Sequence, residues 1–346
     1  MTKTTSPWWH PDRFARQRPY LETRMRVIKA IRAFFDAQGF AEVETPVLQV
    51  CPVMDTHIHG FGTDLIGVDL QFKKRLYLHT SPEFAMKKLL VAGMPAIYQI
   101  CHVFRNAEGS TRHSPEFTML EWYRAGAGYD EIAADTVGLL RACAQAAGVT
   151  HFRYKDFACD AFAEAEYLSV RDAFVKYAGI DLDLYLTDRD GFAAVIAAQG
   201  IRVADDDRWD DLFFRVMAEK IEPVLGMSVP TILKDYPISM ASLARPCPHD
   251  PRYAARFEVY VCGIELANAF DELTDADIQQ QRFVDEMAQK ERIYGATYPV
   301  DEDFIAALRH GMPPSGGIAL GVDRLVMLAA GVDDIAQVLW APVDSE

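Results

Sequence analysis

The stretch FEVYVCGIELANAFDEL, Phe257–Leu273, has the alternation of a buried β-hairpin, yet it carries Glu258, Glu265, Asp271 and Glu272. A carboxylate buried without a partner is unfavourable. Either these side chains point outward into water, as on a half-exposed strand pair, or they face a cation or an amine. With the turn at Cys262-Gly263, Tyr260 lies opposite Glu265 and Glu258 is its diagonal neighbour on the same face. Diagonal neighbours sit about 7–8 Å apart at Cα. Two carboxylates at that spacing suit a divalent ion shared with phosphate oxygens, and the flanking residues are too apolar for a wet face. Strict alternation puts Asn268, Phe270 and Glu272 on the face opposite Glu265. A single pocket therefore requires a β-bulge between Leu266 and Asn268.

Working outward, the order of elements predicts one α+β domain around an antiparallel sheet. Leu21, Met25, Ile28, Ile31 and Phe35 recur at helical steps, and Gly39 stops the run. FAEVETPVLQV reads as a strand broken at Pro46. RLYLHTSPEFAMKKLLVAG reads as a strand and then a helix, with Ser81 as N-cap, Pro82 in the first turn and Gly93 at the end. AIYQICHVFR and PEFTMLEWYR are two strands joined by a polar loop. The segment from about 130 to 226 reads as mostly helical, with Asp130 and Ser169 as caps, and a capped helix runs from about Thr274 to Tyr294. GGIALGVDRLVMLAAG closes the chain as a strand entering a helix.

Composition limits the function classes. The 346 residues are 50% hydrophobic and 25% charged, with 35 basic against 50 acidic side chains and a formal charge of −15. That balance disfavours broad nucleic-acid binding. No apolar run reaches the roughly 20 residues of a membrane span, and the first residues lack the apolar core of a secretory leader. The cysteines, Cys51, Cys101, Cys143, Cys159, Cys247 and Cys262, form no CxxC pair. They read as reduced, mostly buried thiols of a cytoplasmic protein, neither a zinc site nor a disulfide frame.

Three separated pieces share one pattern. GFAEVETPVL resembles the first signature of class II aminoacyl-tRNA synthetases, FRN…RHSPEFTMLEWY the second, and GIALGVDRLVML the third. TSPE, FRN, EFTMLEWY and IELANAFDEL resemble lysyl-tRNA synthetase in particular. Only about 20 residues precede the first catalytic helix, so residues 1–19 read as an extension and 20–346 as a catalytic domain without an anticodon-binding OB-fold. That arrangement, with TSPEFAMKKLLVAG, ARFEVYVCGIELAN and GMPPSGGIALGVDRLVMLAAG, is similar to the elongation factor P lysyltransferase family, stand-alone paralogs of lysyl-tRNA synthetase.

The resemblance implies ATP and Mg²⁺ as cofactors, (R)-β-lysine as substrate and elongation factor P as acceptor. It also implies a homodimer built on the opening helix and the EVETPVL strand, with no membrane association and no tRNA partner. Arg105 would clamp the substrate carboxylate and α-phosphate, where a planar guanidinium donates two hydrogen bonds in fixed geometry. Arg324 would hold the γ-phosphate. Asn106, Ala107, Glu108, His113, Ser114, Phe117, Leu266 and Gly321 complete the ATP site, with Phe117 stacking on the base. Glu258 and Glu265 would hold the metal. Glu272 with Tyr123 would take the ε-ammonium, and Glu83 and Glu121 the other amine. Ser81, Pro82, Asn268, Phe270 and Ala319 would line that pocket.

Two departures stand out. The usual Arg-x-Glu reads Arg105-Asn106-Ala107, with Glu108 one place late, and Ala319 stands where lysyl-tRNA synthetases carry glycine. Other readings are a truncated lysyl-tRNA synthetase, an ammonia-dependent asparagine synthetase or a non-catalytic regulatory module. Glu272 has the wrong sign for a second substrate carboxylate, and a regulatory module need not keep Arg105, Glu265 and Arg324.

Overall fold

A computed structural model describes residues 7–343. The first six residues of the expected extension and the last three of the expected catalytic domain lie outside the described residues.

The centre is an eight-stranded sheet. Its strands in chain order are β1 (Ala41–Glu42), β2 (Ala96–Phe104), β3 (Glu116–Ala125), β4 (Glu166–Ser169), β5 (Thr231–Pro237), β6 (Tyr253–Val261), β7 (Ile264–Asp271) and β8 (Ser315–Gly321). Their spatial order is β1-β2-β3-β8-β7-β6-β5-β4. Pairing is antiparallel except at the two edges, where β1–β2 and β5–β4 are parallel. The α+β architecture expected from the sequence is the one observed.

Alternation divides the sheet into a core face and a site face. Leu120, Trp122, Phe257, Val259, Ala267, Ala269, Ile318 and Leu320 face the main core. There they meet α1 (Pro11–Ala37), α3 (Tyr129–Ala147) and the helix Val322–Ala330. α2 (Glu83–Val91) and the helix Ala276–Tyr294 belong to a second cluster beside the site face. The buried Arg24 guanidinium ties α1 to the rest. It pairs with Asp323, which also accepts from the Thr118 amide at 2.8 Å.

Three details differ from the sequence reading. α1 begins at Pro11, inside the supposed extension, and runs through Pro19. Proline at a helix start is compatible with its fixed φ, and the later packing of Leu21, Val27, Ile31 and Phe35 outweighs the bond lost at Pro19. Of the helical face read from the sequence, Ile31 and Phe35 lie in the chain's own core and Leu21 is buried, while Met25 stays 44% exposed. Other exposed apolar side chains include Leu48, Val50, Leu65, Ile66 and Phe72. Finally, the segment from 130 to 226 also contains the hairpin His151–Tyr154/Phe157–Asp160 and β4. Strands of four residues are too short for a period of two to stand out.

Candidate active site

The hairpin at Phe257–Leu273 turns at Cys262-Gly263, both with positive φ (53° and 71°), as a two-residue turn requires. Tyr260 lies opposite Glu265, but Val259 lies opposite Ala267, which leaves Leu266 as an extra residue. This bulge reverses the alternation. Glu265, Asn268 and Phe270 thereby share the face of Glu258 and Arg256, because Asn268 pairs with Glu258 and Phe270 with Arg256. The bulge required by the sequence is present, centred on Leu266.

Two rows of side chains then cross the site face. One runs Glu121–Ala319–Asn268–Glu258, the next Tyr123–Gly317–Phe270–Arg256. Gly317 is needed here. A Cβ at this position would collide with both the Glu272 carboxylate and the Tyr123 ring.

One cavity is lined by Ser81, Pro82, Glu83, Glu121, Tyr123, Asn268, Phe270, Glu272 and Ala319, the whole set expected to take the amino acid. Ser81 Oγ donates to Glu121 at 2.5 Å, and the Tyr123 hydroxyl donates to its other oxygen at 3.0 Å. Ser81 also accepts from the Glu83 amide at 3.0 Å, but it is not the N-cap expected from the sequence: α2 starts at Glu83, which makes Pro82 the N-cap, and no side chain caps the helix. Burial, then the Glu83 carboxylate, pushes the Glu121 pKa up to about 8.

The sequence reading missed Lys87. This buried side chain pairs with both Glu83 and Glu272. Burial drives the Glu272 pKa up, and the adjacent ammonium opposes it. The Lys87 pKa is raised by the two carboxylates despite its burial. Burial raises both Glu121 and Glu272 to about 8 in the ligand-free pocket. The signal was legible: Glu83 and Lys87 are four residues apart on a helix. With all three carboxylates ionised, one lysine leaves two negative charges for a ligand with two ammonium groups.

A second cavity holds Arg105, Glu108, His113, Ser114, Phe117, Glu258, Glu265, Leu266, Gly321 and Arg324, as expected of a nucleotide site. Arg105 lies over the Phe117 ring, 5.3 Å from its centroid. Arg324 donates to the Glu265 carbonyl at 2.7 Å and to His113 Nε2 at 2.5 Å. Burial and the surrounding arginines lower the His113 pKa to about 4, which keeps that nitrogen an acceptor. Asn106 and Ala107 lie outside the walls of both cavities. Asn106 accepts the Ala107 amide at 2.9 Å, and its backbone bridges to His59.

The two expected metal carboxylates differ. Glu258 accepts from the Tyr236 and Tyr260 hydroxyls, each at 2.6 Å, and pairs with Arg256. Glu265 has Arg324 at 3.7 Å and remains 43% exposed, toward the cavity it lines. Enclosure by protein and the nearby Glu258 charge raise its pKa. Glu222, unrecognised in the sequence, is pushed to about 7 by burial and by the Glu258 and Glu265 charges. Mutually repelling hard oxygen donors fit Mg²⁺. Glu265 would be the principal ligand, with Glu258 contributing where Arg256 gives way.

The cavities share Asp55, Ile58, Arg105, Met119, Arg256, Asn268 and Ala319, so they form one cleft. Arg256 was also missed, although it stands two residues before Glu258 on the same strand face. Its Nε donates to Asn268 at 3.0 Å, which fixes the amide at the junction.

Comparison with known proteins identifies the family. The model for class II tRNA synthetases (D, K and N) matches residues 4–345. The chain is 38% identical over 337 residues to the elongation factor P--(R)-beta-lysine ligase of Photobacterium profundum, covering 97% of this chain and 98% of that one. It is 39% identical over 323 residues to the protein of the same name from Edwardsiella ictaluri, covering 93% and 94% respectively. A family match over nearly the whole chain, with relatives at this identity and coverage, places the chain among the ligases of the class II tRNA synthetase (D, K and N) family.

Proposed function

We propose that the protein activates (R)-β-lysine with ATP and transfers the aminoacyl group to a lysine side chain of elongation factor P. The observation that carries this reading is the continuous cleft, with two uncompensated carboxylates at one end and arginines at the other. Glu272, beside Lys87, and Glu83 with Glu121 would bind the two ammonium groups. Arg105, at the junction, would hold the substrate carboxylate against the α-phosphate. Attack by that carboxylate oxygen forms the acyl-phosphate bond and breaks the bond to pyrophosphate. Arg324, fixed by His113, would stabilise the leaving charge. Mg²⁺ bound at Glu265 would supply neutralisation of phosphate charge. The acceptor amine, once deprotonated, attacks the acyl carbon, forming an amide and releasing AMP.

The acceptor is tested with labelled (R)-β-lysine and ATP offered to elongation factor P or to total tRNA. Label should enter the protein; label in tRNA alone would overturn the assignment. The chain would act in the cytoplasm as a homodimer, and equilibrium sedimentation that finds only monomer would remove the second part.

The proton on Glu121 gives a pH dependence. Its pKa of about 8 lies above the ordinary carboxylate value, so at neutral pH the group is largely protonated. Raising pH through 8 ionises it and strengthens the site for a cation. The KM for the amino acid in ATP–pyrophosphate exchange should therefore fall between about pH 7 and 8.5, within the range set by that group. Glu121→Gln should flatten this fall. An equally steep profile in the variant would place the titration elsewhere.

A further inference from the structure

Asp235, Cys247 and His249 bring a carboxylate oxygen, a thiol and an imidazole nitrogen within 4.8 Å of one another, outside the cleft. It is the single such group among the described residues. We infer that these three side chains form a binding site for a zinc-class divalent ion, with water in the fourth position.

The spacing supports this. Cys247 Sγ lies 3.4 Å from Asp235 Oδ1, and His249 Nε2 lies 3.8 Å from Asp235 Oδ2. Bonds of about 2.0–2.3 Å to a tetrahedral zinc imply donor separations of roughly 3.3–3.7 Å. All three donor atoms lie within 4.8 Å of one another, and the exposed His249 is the ligand free to close on the other two. Mixed oxygen, nitrogen and sulfur donors select zinc over magnesium or calcium.

Asp235 is held for this role. It sits at an irregularity in the β5–β6 ladder with φ of 61°, which turns it out of the strand alternation. The Tyr129 hydroxyl donates to its Oδ1 at 3.0 Å, the kind of outer hydrogen bond that orients a ligating carboxylate. The Lys234 ammonium is 3.9 Å from Oδ2 and 5.6 Å from the Tyr129 ring. Its partly exposed side chain can turn into water when a metal arrives. Binding exchanges the thiol proton, released to solvent, for a metal–sulfur bond. The anionic aspartate and thiolate then balance the ion's charge.

The location gives the site a consequence. Residues 238–252 connect β5 to β6, and Met240–Leu243 in that connection wall the amino-acid cavity. One limb is pinned to the end of β7, where Arg245 donates its amide to the Asp271 carbonyl at 2.9 Å. A metal at Cys247 and His249 would peg the other limb to β5. Sequence spacing gave no sign of this, because Asp235 stands apart from the other two ligands along the chain.

The test uses the full chain, stripped with a chelator and titrated with Zn²⁺ against a chromophoric competitor. One zinc per chain is expected. His249→Ala, a surface change, and Cys247→Ser should each weaken binding at least about tenfold, the least expected when a ligand is lost. Co²⁺ should give a thiolate charge-transfer band that disappears in Cys247→Ser and persists in Cys143→Ser. Absence of zinc binding in the unaltered chain, or a cobalt–thiolate band retained in Cys247→Ser, would overturn the site.

Discussion

Glu265→Gln should lower the rate of adenylate formation at least about a hundredfold, the loss typical of one strong transition-state contact. The amide keeps the shape of the side chain but removes the charge best placed to hold a cation. Glu258 is already occupied by two tyrosine hydroxyls and Arg256, so it cannot compensate fully. Folding should change little, because Glu265 makes no hydrogen bond through its carboxylate among the described residues and faces the cavity. Pyrophosphate exchange and urea unfolding separate the two effects. Unaltered exchange would take Glu265 out of the site.

Lys87→Met should cost about 3–5 kcal/mol of stability near pH 8, as removal of one partner from a buried ion pair does. The methionine fills much of the volume, but Glu272 and Glu83 are left facing each other without a cation. The pH dependence follows from the sign of the shift. Without Lys87 the folded-state pKa of Glu272 rises further above its unfolded value. The folded state then binds more protons than the unfolded state over that interval, and stability falls as pH increases through it. The deficit should therefore shrink toward pH 5. Glu272→Gln added to Lys87→Met should recover part of it. Equal urea midpoints for Lys87→Met and the parent at pH 8 would refute the account.

Both expectations depend on contacts that were legible to different degrees in the chain. The turn at Cys262-Gly263, the Tyr260–Glu265 register and the need for a bulge all followed from local alternation and from the demand that metal and amine share one pocket. The start of α1 did not, because the apolar periodicity begins only at Leu21, while the helix runs from Pro11 through Pro19. Lys87 and Arg256 escaped notice for another reason. A cation beside a carboxylate on a helix or strand is usually a solvated pair, and only burial turns it into part of a pocket.

By itself, then, the sequence determined the α+β class, the strands and helices that carry the site, and which side chains share a strand face. Those properties are set by periodicity and turn chemistry within a few residues of each position. Tertiary structure alone decided that Glu258 is bound by Tyr236 and Arg256, and that Glu272 already has an ammonium partner. It also decided that Asn106 and Ala107 fall outside the cleft walls and that Ile31 and Phe35 of α1 enter the main core. Each of these depends on distance and dielectric between segments remote in sequence, and electrostatic strength follows burial rather than residue type.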